Sequence, residues 1–152
     1  MSVFPKNFLW GAAASAFQIE GDISNDFTDW GKSGHFKNNG KNPLYTNGSD
    51  HWKQWQSDFE LLKDQPINSY RLSIEWSRLE PKPGRFNLDA LRQYEQMIDC
   101  LLKMNIKPML TLLHFSHQNW FHKKSPWHTP ESVGRYNSFL SLWVKKLIYT
   151  LH

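Results

Sequence analysis

Apolar and polar positions along this chain form two kinds of pattern, unbroken apolar runs and a repeat of three or four residues. The clearest run lies in the segment IKPMLTLLHFSHQNW (106–120), where residues 109–113 are apolar or β-branched and the run stops at His114. A run without alternation predicts a strand buried on both faces, as in a parallel sheet covered by helices. Polar residues that follow such strands contact ligands in many α/β enzymes. His114 is therefore a candidate substrate-binding residue, unless it only ends the strand.

A first strand is predicted near the beginning of the chain, around residues 8–10. The small residues from Gly11 to Ala14 follow it, and they allow close approach of another backbone. Gln18 and Glu20 are the first polar side chains beyond this strand. They are candidates for the same ligand-binding edge of the sheet as His114.

The segment YRLSIEW (70–76) predicts a second strand, because its apolar residues alternate with polar ones. Its polar face carries Arg71 and Glu75. An unpaired charge inside a layered α/β core costs several kcal/mol. We therefore expect Arg71 and Glu75 either to pair with each other or to line a cavity.

One helix is predicted after each strand. Ser49 or Asp50 caps the first helix, Asn87 caps the second, and Thr129-Pro130 begins the third. Their apolar positions recur every three or four residues. These positions are Trp52, Trp55, Phe59 and Leu62; Leu91, Tyr94, Ile98, Leu101 and Leu102; and Val133, Tyr136, Leu140, Val144, Leu147 and Leu151.

The repeated strand and helix order predicts an α/β fold, a parallel sheet with helices outside it. A chain of 152 residues falls in the range of one domain. The three units of that domain are expected over residues 1–66, 67–105 and 106–152. Residues 22–48 and 115–128 show no period and are predicted to be long loops.

Composition excludes several classes of function. The net charge of +4 is small and the basic residues are scattered, which argues against nucleic-acid binding. The single cysteine, Cys100, excludes an internal disulfide and suits a reducing compartment. No segment has the pattern of a signal peptide or a membrane span. We expect a cytoplasmic protein with no membrane or nucleic-acid partner, no cofactor and no metal.

The chain is rich in tryptophan, with 8 in 152 residues. A flat indole with one N–H donor suits both protein cores and the faces of sugars. Most of these residues are expected to pack in the core. Trp120, in the segment after the third strand, is a possible sugar-contacting residue.

Four segments together resemble a known family. They are FLWGAAASAFQIEG at the start, SDHWKQWQSDFELLK, NSYRLSIEWSRLEPKPGRFN, and KPMLTLLHF with the NWF and PW that follow. These segments resemble the N-terminal third of family 1 glycoside hydrolases, the β-glucosidase group of (β/α)8 barrels. The resemblance implies a partial (β/α)8 TIM barrel of about three βα units with parallel strands.

The resemblance also implies roles for individual residues. Gln18 and His114 would hold hydroxyl groups of the non-reducing sugar of a β-glycoside. Arg71 would lie beside the catalytic nucleophile and help to keep it ionised. The chain departs from the pattern at Leu113, where many relatives have a second histidine, and HFSHQNWF lacks the proline often found before its tryptophan.

The catalytic glutamates of the family are absent from these residues. The family's acid/base lies in an Asn-Glu-Pro segment and its nucleophile in a Glu-Asn-Gly segment, and the 152 residues contain neither. Retaining hydrolysis needs two carboxyl groups about 5 Å apart. The chain's own candidates, Glu20 and Glu75, do not occupy the family's catalytic positions, and Arg71 on the same face would keep Glu75 ionised. We therefore expect little or no activity from this chain alone.

Two interpretations of the function remain. The chain is either the sugar-binding N-terminal part of a retaining β-glycosidase or a non-catalytic or weakly active carbohydrate-binding or interaction domain. Three parallel strands have two open edges, and no edge proline is apparent in the predicted outer strands. A complementary C-terminal chain or a homo-oligomer is therefore the expected partner.

Overall fold

A computed structural model describes residues 4–34, 48–124 and 126–150. Its sheet has three strands, β1 (Gly11–Ala13), β2 (Ser69–Ser73) and β3 (Lys107–Thr111), in the order β1-β2-β3. Both pairs of neighbouring strands are parallel. The predicted parallel α/β arrangement is therefore confirmed, and the strand from the YRLSIEW segment lies in the middle.

The first strand lies three residues later than predicted, at Gly11–Ala13 instead of residues 8–10. Gly11 pairs with Ser69, and a Cβ atom at Gly11 would lie 2.7 Å from the Ser69 carbonyl oxygen. Only the small residues can approach β2 this closely. The larger residues before them instead form an exposed cluster of rings, with centroids 4.6 to 4.8 Å apart: Phe4, Phe8 and Trp10.

The third strand is not buried on both faces as predicted. Met109 is 51% exposed, and the strand begins at Lys107 and ends at Thr111. The register places Met109 beside Arg71, and Arg71 beside Ala13, and all three are exposed. Alternate strand residues such as Leu72 point to the opposite face and are buried under the helices. The helices thus cover one face of the sheet and leave the other open among the described residues.

Seven helices lie among the described residues. They are α1 (Ala16–Ile19), α2 (Asp26–Lys32), α3 (His51–Glu60), α4 (Trp76–Leu79), α5 (Leu88–Lys103), α6 (Asn119–Lys124) and α7 (Pro130–Thr150). The short helices α2 and α6 lie inside the two segments predicted to be loops. Helix α2 begins after Asn25 because Asn25 forms a capping box with Thr28. This local signal is not among the predicted helix caps. Residues 35–47 of the first predicted loop lie outside the described residues.

The three long helices begin where the sequence predicts, and the predicted side-chain cap is present at one of them, α5. The Asn87 side chain accepts hydrogen bonds from the backbone N–H groups of Asp89 and Ala90, both at 3.1 Å. Helix α7 begins at Pro130, as predicted. Asp50 precedes α3 in a left-handed conformation, and its side chain forms no cap hydrogen bond. The predicted cap of α3 is therefore wrong in its chemistry, although the helix begins where expected.

Helices α3, α5 and α7 supply most of the core that covers the sheet. The most buried large side chains include Phe59, Tyr94, Ile98, Leu101, Phe139 and Trp143. The predicted apolar face of α7 is partly wrong, since Val133 is 59% exposed while Trp143 is 1% exposed. Phe139 and Trp143 lie on the inner face of α7. Phe139 packs against Trp76, and Trp143 packs against Phe86. Leu151 and the side chains of Val144 and Leu147 lie outside what the structure describes.

The prediction that the outer strands contain no edge proline is wrong, because Pro108 lies in the outer strand β3. Lys107 donates its N–H to the Asn68 carbonyl oxygen at 2.9 Å, towards β2. The nitrogen of Pro108 therefore points to the outer edge, because neighbouring backbone nitrogens alternate in direction. A proline there removes one free donor from the edge. Within the described ranges, no helix has the length and apolar character needed to cross a membrane.

Candidate functional site

Gln18 presents an exposed side chain from a firmly held backbone. It lies on α1, and the Ser73 hydroxyl oxygen accepts the Ala16 N–H at the start of this helix at 2.6 Å. The backbone of Gly48 also lies against α1, since a Cβ atom at Gly48 would be 2.6 Å from the Gln18 carbonyl oxygen. An amide both donates and accepts hydrogen bonds. An exposed amide on a fixed helix is suited to binding the hydroxyl groups of a ligand.

His114 lies close to this helix through its neighbour in the chain. The ring of Phe115 contacts His114, with centroids 5.1 Å apart, and Phe17, with centroids 5.8 Å apart. Phe17 directly precedes Gln18, so the chain neighbours of the two predicted sugar-binding residues are in contact. His114 is half-buried, and its buried Nδ1 atom has no hydrogen-bond partner among the described residues. We refer to Gln18 and His114 as the rim.

Arg71 and Glu75 do not form the ion pair that the alternating pattern allowed. Arg71 is exposed on the open face of the sheet, and among the described residues no carboxylate forms an ion pair with it. Glu75 is 1% exposed and accepts hydrogen bonds from the hydroxyls of Ser77 at 2.6 Å and Ser116 at 2.9 Å. Because β2 ends at Ser73, Glu75 no longer alternates with Arg71, and it caps α4 instead.

Glu20 forms the buried ion pair of the described region. It is 2% exposed, and it accepts hydrogen bonds from Arg78 Nε and from the Tyr94 hydroxyl, both at 2.7 Å. The Tyr94 oxygen in turn accepts the Glu75 N–H at 3.0 Å. Burial raises the pKa of Glu20 from 4.5 to about 7, against the lowering effects of Arg78 and Tyr94. We call Glu20, Arg78 and Tyr94 the Glu20 cluster.

Two members of this cluster have no predicted functional role. Arg78 lies in a family-like segment without an assigned role, and the sequence places Tyr94 only on the apolar face of a helix. Glu20 and Arg78 are 58 residues apart, so no local pattern pairs them. A weak signal existed for Tyr94, because a buried tyrosine hydroxyl requires a hydrogen-bond partner.

Trp120 lies apart from the rim. Its indole N–H donates to the Glu80 carbonyl oxygen at 3.2 Å, so this donor is used within the protein. Trp120 lines a cleft of about 530 Å³ together with Arg78 and Lys123. Among the described residues that line this cleft, neither Gln18 nor His114 appears.

The two carboxylates of this region are not arranged as an open catalytic pair. Glu20 and Glu75 are both buried, and each accepts hydrogen bonds from neighbouring side chains. Their covered oxygens are unavailable to a sugar. Within the described parts of the chain, no group of three or more His, Cys, Asp or Glu side chains is placed to hold a metal ion. Of the predicted site residues, Gln18 is exposed and His114 is half-buried, whereas Glu20 and Glu75 are buried.

Comparison with known proteins gives one family. The model of glycosyl hydrolase family 1 matches residues 1–150. Beta-glucosidase 47 of Arabidopsis thaliana is 38% identical over 136 residues, which is 84% of this chain and 25% of that protein. Beta-glucosidase A of Acetivibrio thermocellus is 30% identical over 149 residues, which is 95% of this chain and 33% of that protein.

The fold is similar to a part of solved enzymes. A beta-glycosidase from Pyrococcus horikoshii superimposes with a TM-score of 0.83 at 36% sequence identity, over 95% of this chain and 33% of that one. The chain thus spans about a third of this structure and about a quarter to a third of the two β-glucosidases. Its three parallel βα units form part of a (β/α)8 barrel, as the resemblance implied.

Proposed function

The chain belongs to glycosyl hydrolase family 1, and from this premise we propose that it supplies the sugar-binding portion of a retaining β-glycosidase. The proposed substrate is a β-glucoside or a closely related β-glycoside, because relatives carry the name β-glucosidase. We treat residues 1–152 as one partial barrel domain. The single cysteine fits a reducing, cytoplasmic location.

The observation that carries this proposal is the exposed Gln18 amide on the fixed helix α1. A side chain on an anchored backbone loses less entropy on binding a hydroxyl group than one on a mobile segment. His114 lies near this helix through the ring of Phe115, and it is half-buried with its Nδ1 atom closed to solvent, so the rest of the ring would make any contact with a sugar. We assign both residues to the hydroxyl groups of the non-reducing sugar. Trp120 has no part in this proposal, since its N–H is bound to a carbonyl oxygen.

Arg71 supports the proposal from the open face of the sheet. Its guanidinium group is exposed, and no carboxylate among the described residues pairs with it. In an assembled barrel this face lines the interior, where an arginine favours the ionised form of a nearby glutamate. We propose that a complementary polypeptide brings the acid/base and nucleophile glutamates to this face. Arg71 would then hold the nucleophile ionised.

A non-catalytic carbohydrate-binding domain is the second candidate. It is favoured by the burial of Glu20 and Glu75, which leaves these two carboxylates unavailable for hydrolysis. Both candidates require a sugar at the rim. They differ in whether added βα units bring activity.

Sugar binding by the chain itself is the first test. Titration of the protein with methyl β-D-glucoside, followed by NMR, is expected to show saturable binding. Gln18→Ala and His114→Ala should each weaken it about tenfold, which corresponds to one lost hydrogen bond. Gln56→Ala, a matched change at an exposed glutamine of α3, should leave affinity unchanged. Equal affinity in all three variants, or no binding by the unaltered chain, would refute the proposed site.

Hydrolysis by the chain alone is the second test. The purified protein should cleave aryl β-glucosides at no more than a trace rate, far below the enzyme median of about 10 per second. Residual activity should not depend on Glu20 or Glu75. A turnover near that median that disappears in Glu75→Gln would show that the chain carries its own catalytic carboxylate.

A further inference from the structure

The Glu20 cluster is a buried polar group that sugar binding at the rim does not by itself explain. We infer that Glu20 is a positioning residue for Gln18, because the cluster fixes the C-terminal end of α1 and so holds the backbone from which the exposed amide projects. This inference rests on the proposed sugar-binding role of Gln18. It concerns how the backbone of Gln18 is held, and Glu20 itself contacts no sugar.

The backbone of Glu20 ends helix α1. Its N–H donates to the Ala16 carbonyl oxygen at 2.9 Å, and its own carbonyl oxygen accepts the Trp52 N–H at 3.1 Å. Gln18 lies two residues before Glu20, within the same single turn of helix. A turn this short has no internal stability, so its geometry depends on anchors at its two ends. Ser73 anchors the first end, and Glu20 anchors the second.

The side chain of Glu20 joins α1 to two other helices. Arg78 reaches it from α4 and Tyr94 reaches it from α5. Arg78 also donates to the Gly21 carbonyl oxygen, and its guanidinium lies over the Trp52 ring, 4.1 Å from the centroid. The backbone N–H of Trp52 also binds the Glu20 carbonyl oxygen. Arg78 and Trp52 therefore contact both each other and the residues at the end of α1. A change at Glu20 therefore alters the support of Gln18 directly.

The charge of Glu20 controls the strength of this anchor. A hydrogen bond from an arginine to an ionised carboxylate is about twice as strong as one between neutral groups. The pKa of Glu20, raised by burial to about 7, makes its charge change near neutral pH. Protonation weakens the bond from Arg78, and the end of α1 is held less firmly.

Other titratable groups surround Glu20 on every side. Arg78 and the buried Glu75 approach from α4 and its cap, and Tyr94 approaches from α5. His51 from α3 and Tyr70 from β2 line a cavity of about 10 Å³ beside Glu20. Burial raises the pKa of both tyrosines, so they stay neutral donors in the range where Glu20 titrates. The Nδ1 atom of His51 lies 2.6 Å from Oδ2 of Asp58.

The experiment follows the Gln18 side-chain amide of the whole chain by NMR between about pH 5.5 and 8.5. In the unaltered protein this signal is expected to shift with a midpoint near pH 7. Glu20→Gln keeps the shape of the side chain and should abolish the shift. Glu60→Gln, at an exposed glutamate of α3, is the matched control and should preserve it. Affinity for methyl β-D-glucoside should fall with protonation in the unaltered protein and stay independent of pH in Glu20→Gln.

The inference would be overturned if the Gln18 amide signal did not change with pH. It would also be overturned if the signal showed the same pH dependence in Glu20→Gln as in the unaltered chain. If the signal follows Glu20 but no glucoside binds at any pH, positioning stands and the proposed function fails. If Glu20→Gln does not fold, Tyr94→Phe supplies the test. The hydrogen bond from the Tyr94 hydroxyl lowers the pKa of Glu20. Its removal should therefore move the midpoint of the Gln18 signal to higher pH. An unchanged midpoint in that variant would also overturn the inference.

Discussion

At the residue scale, two buried glutamates illustrate how surroundings set chemistry. Glu75 is held by the hydroxyls of Ser77 and Ser116, while Glu20 is held by a guanidinium and a phenol. Glu20 nevertheless has a raised pKa, because loss of hydration outweighs the attraction of Arg78. A buried charge that is only partly compensated lowers the stability of the folded state.

We predict that the chain becomes less stable as pH rises from about 5 to 7. The pKa of Glu20 rises from 4.5 to about 7 on folding, so the folded state binds the proton more tightly than the unfolded state. Its contribution is fully present below pH 4.5 and is lost as pH passes through about 7. The loss from this one group is at most about 3 kcal/mol. Urea unfolding at several pH values measures it.

Two variants identify the group responsible. Glu20→Gln cannot titrate, so its stability should vary less between pH 5 and 7, whereas Glu60→Gln should behave as the unaltered chain. Burial also raises the pKa of Asp26, which favours the protonated form of that carboxyl in the folded state. An identical slope in Glu20→Gln would show that Glu20 is ionised throughout this range.

At the element scale, the position of β1 depends on close packing and not on hydrophobicity. The apolar residues Phe8 and Trp10 predict the strand too early, and Gly11 marks where it begins. The β1 and β2 backbones can pair here because Gly11 has no Cβ atom. Steric room, in addition to apolar character, therefore decides which residues join the sheet.

We expect Gly11→Ala to destabilise the chain by about 1 to 3 kcal/mol, the range typical of overpacking. The added methyl group would meet the Ser69 carbonyl oxygen at 2.7 Å, which is part of the β2 backbone. Gly134→Ala is the matched control, because it lies within α7 with no atom near its Cβ position. It should be neutral or stabilising by up to about 1 kcal/mol, since alanine favours helix. Thermal unfolding of both variants checks this, and equal losses would contradict the packing argument.

At the scale of the whole molecule, the sheet presents an open face and two edges. Met109 and Arg71 are exposed on that face, while Phe4, Phe8 and Trp10 form an exposed apolar cluster before β1. Pro108 removes one free N–H donor from the β3 edge, whereas β1 contains no proline. Exposed apolar surface beside unpaired strand edges is typical of protein interfaces and of aggregation-prone surfaces.

We predict that the isolated chain self-associates at tens of micromolar, unless a complementary polypeptide is present. Light scattering measures the mass, and Met109→Lys should reduce association by placing a charge on the open face. Val133→Lys is the control, since Val133 is exposed on a helix away from the sheet face. A cooperatively unfolding monomer at these concentrations would show that the open face needs no cover.

The sequence by itself determined the repeated strand and helix order, the starts of the long helices and the family. These features follow from local periodicity, caps and short motifs, which act over a few residues. It also singled out Gln18 and His114, through the resemblance of their segments. The side chain of Asn87 caps α5 as predicted, whereas that of Asp50 forms no cap hydrogen bond with α3.

Only the tertiary structure decided which polar groups meet. Glu20 and Arg78 are 58 residues apart and come together because β1 and β2 are parallel neighbours. The same packing buries Glu75 away from Arg71 and exposes Met109, against the expectations from alternation and from an apolar run. Burial and long-range pairing depend on which elements cover a face. No local pattern in the chain contains that information.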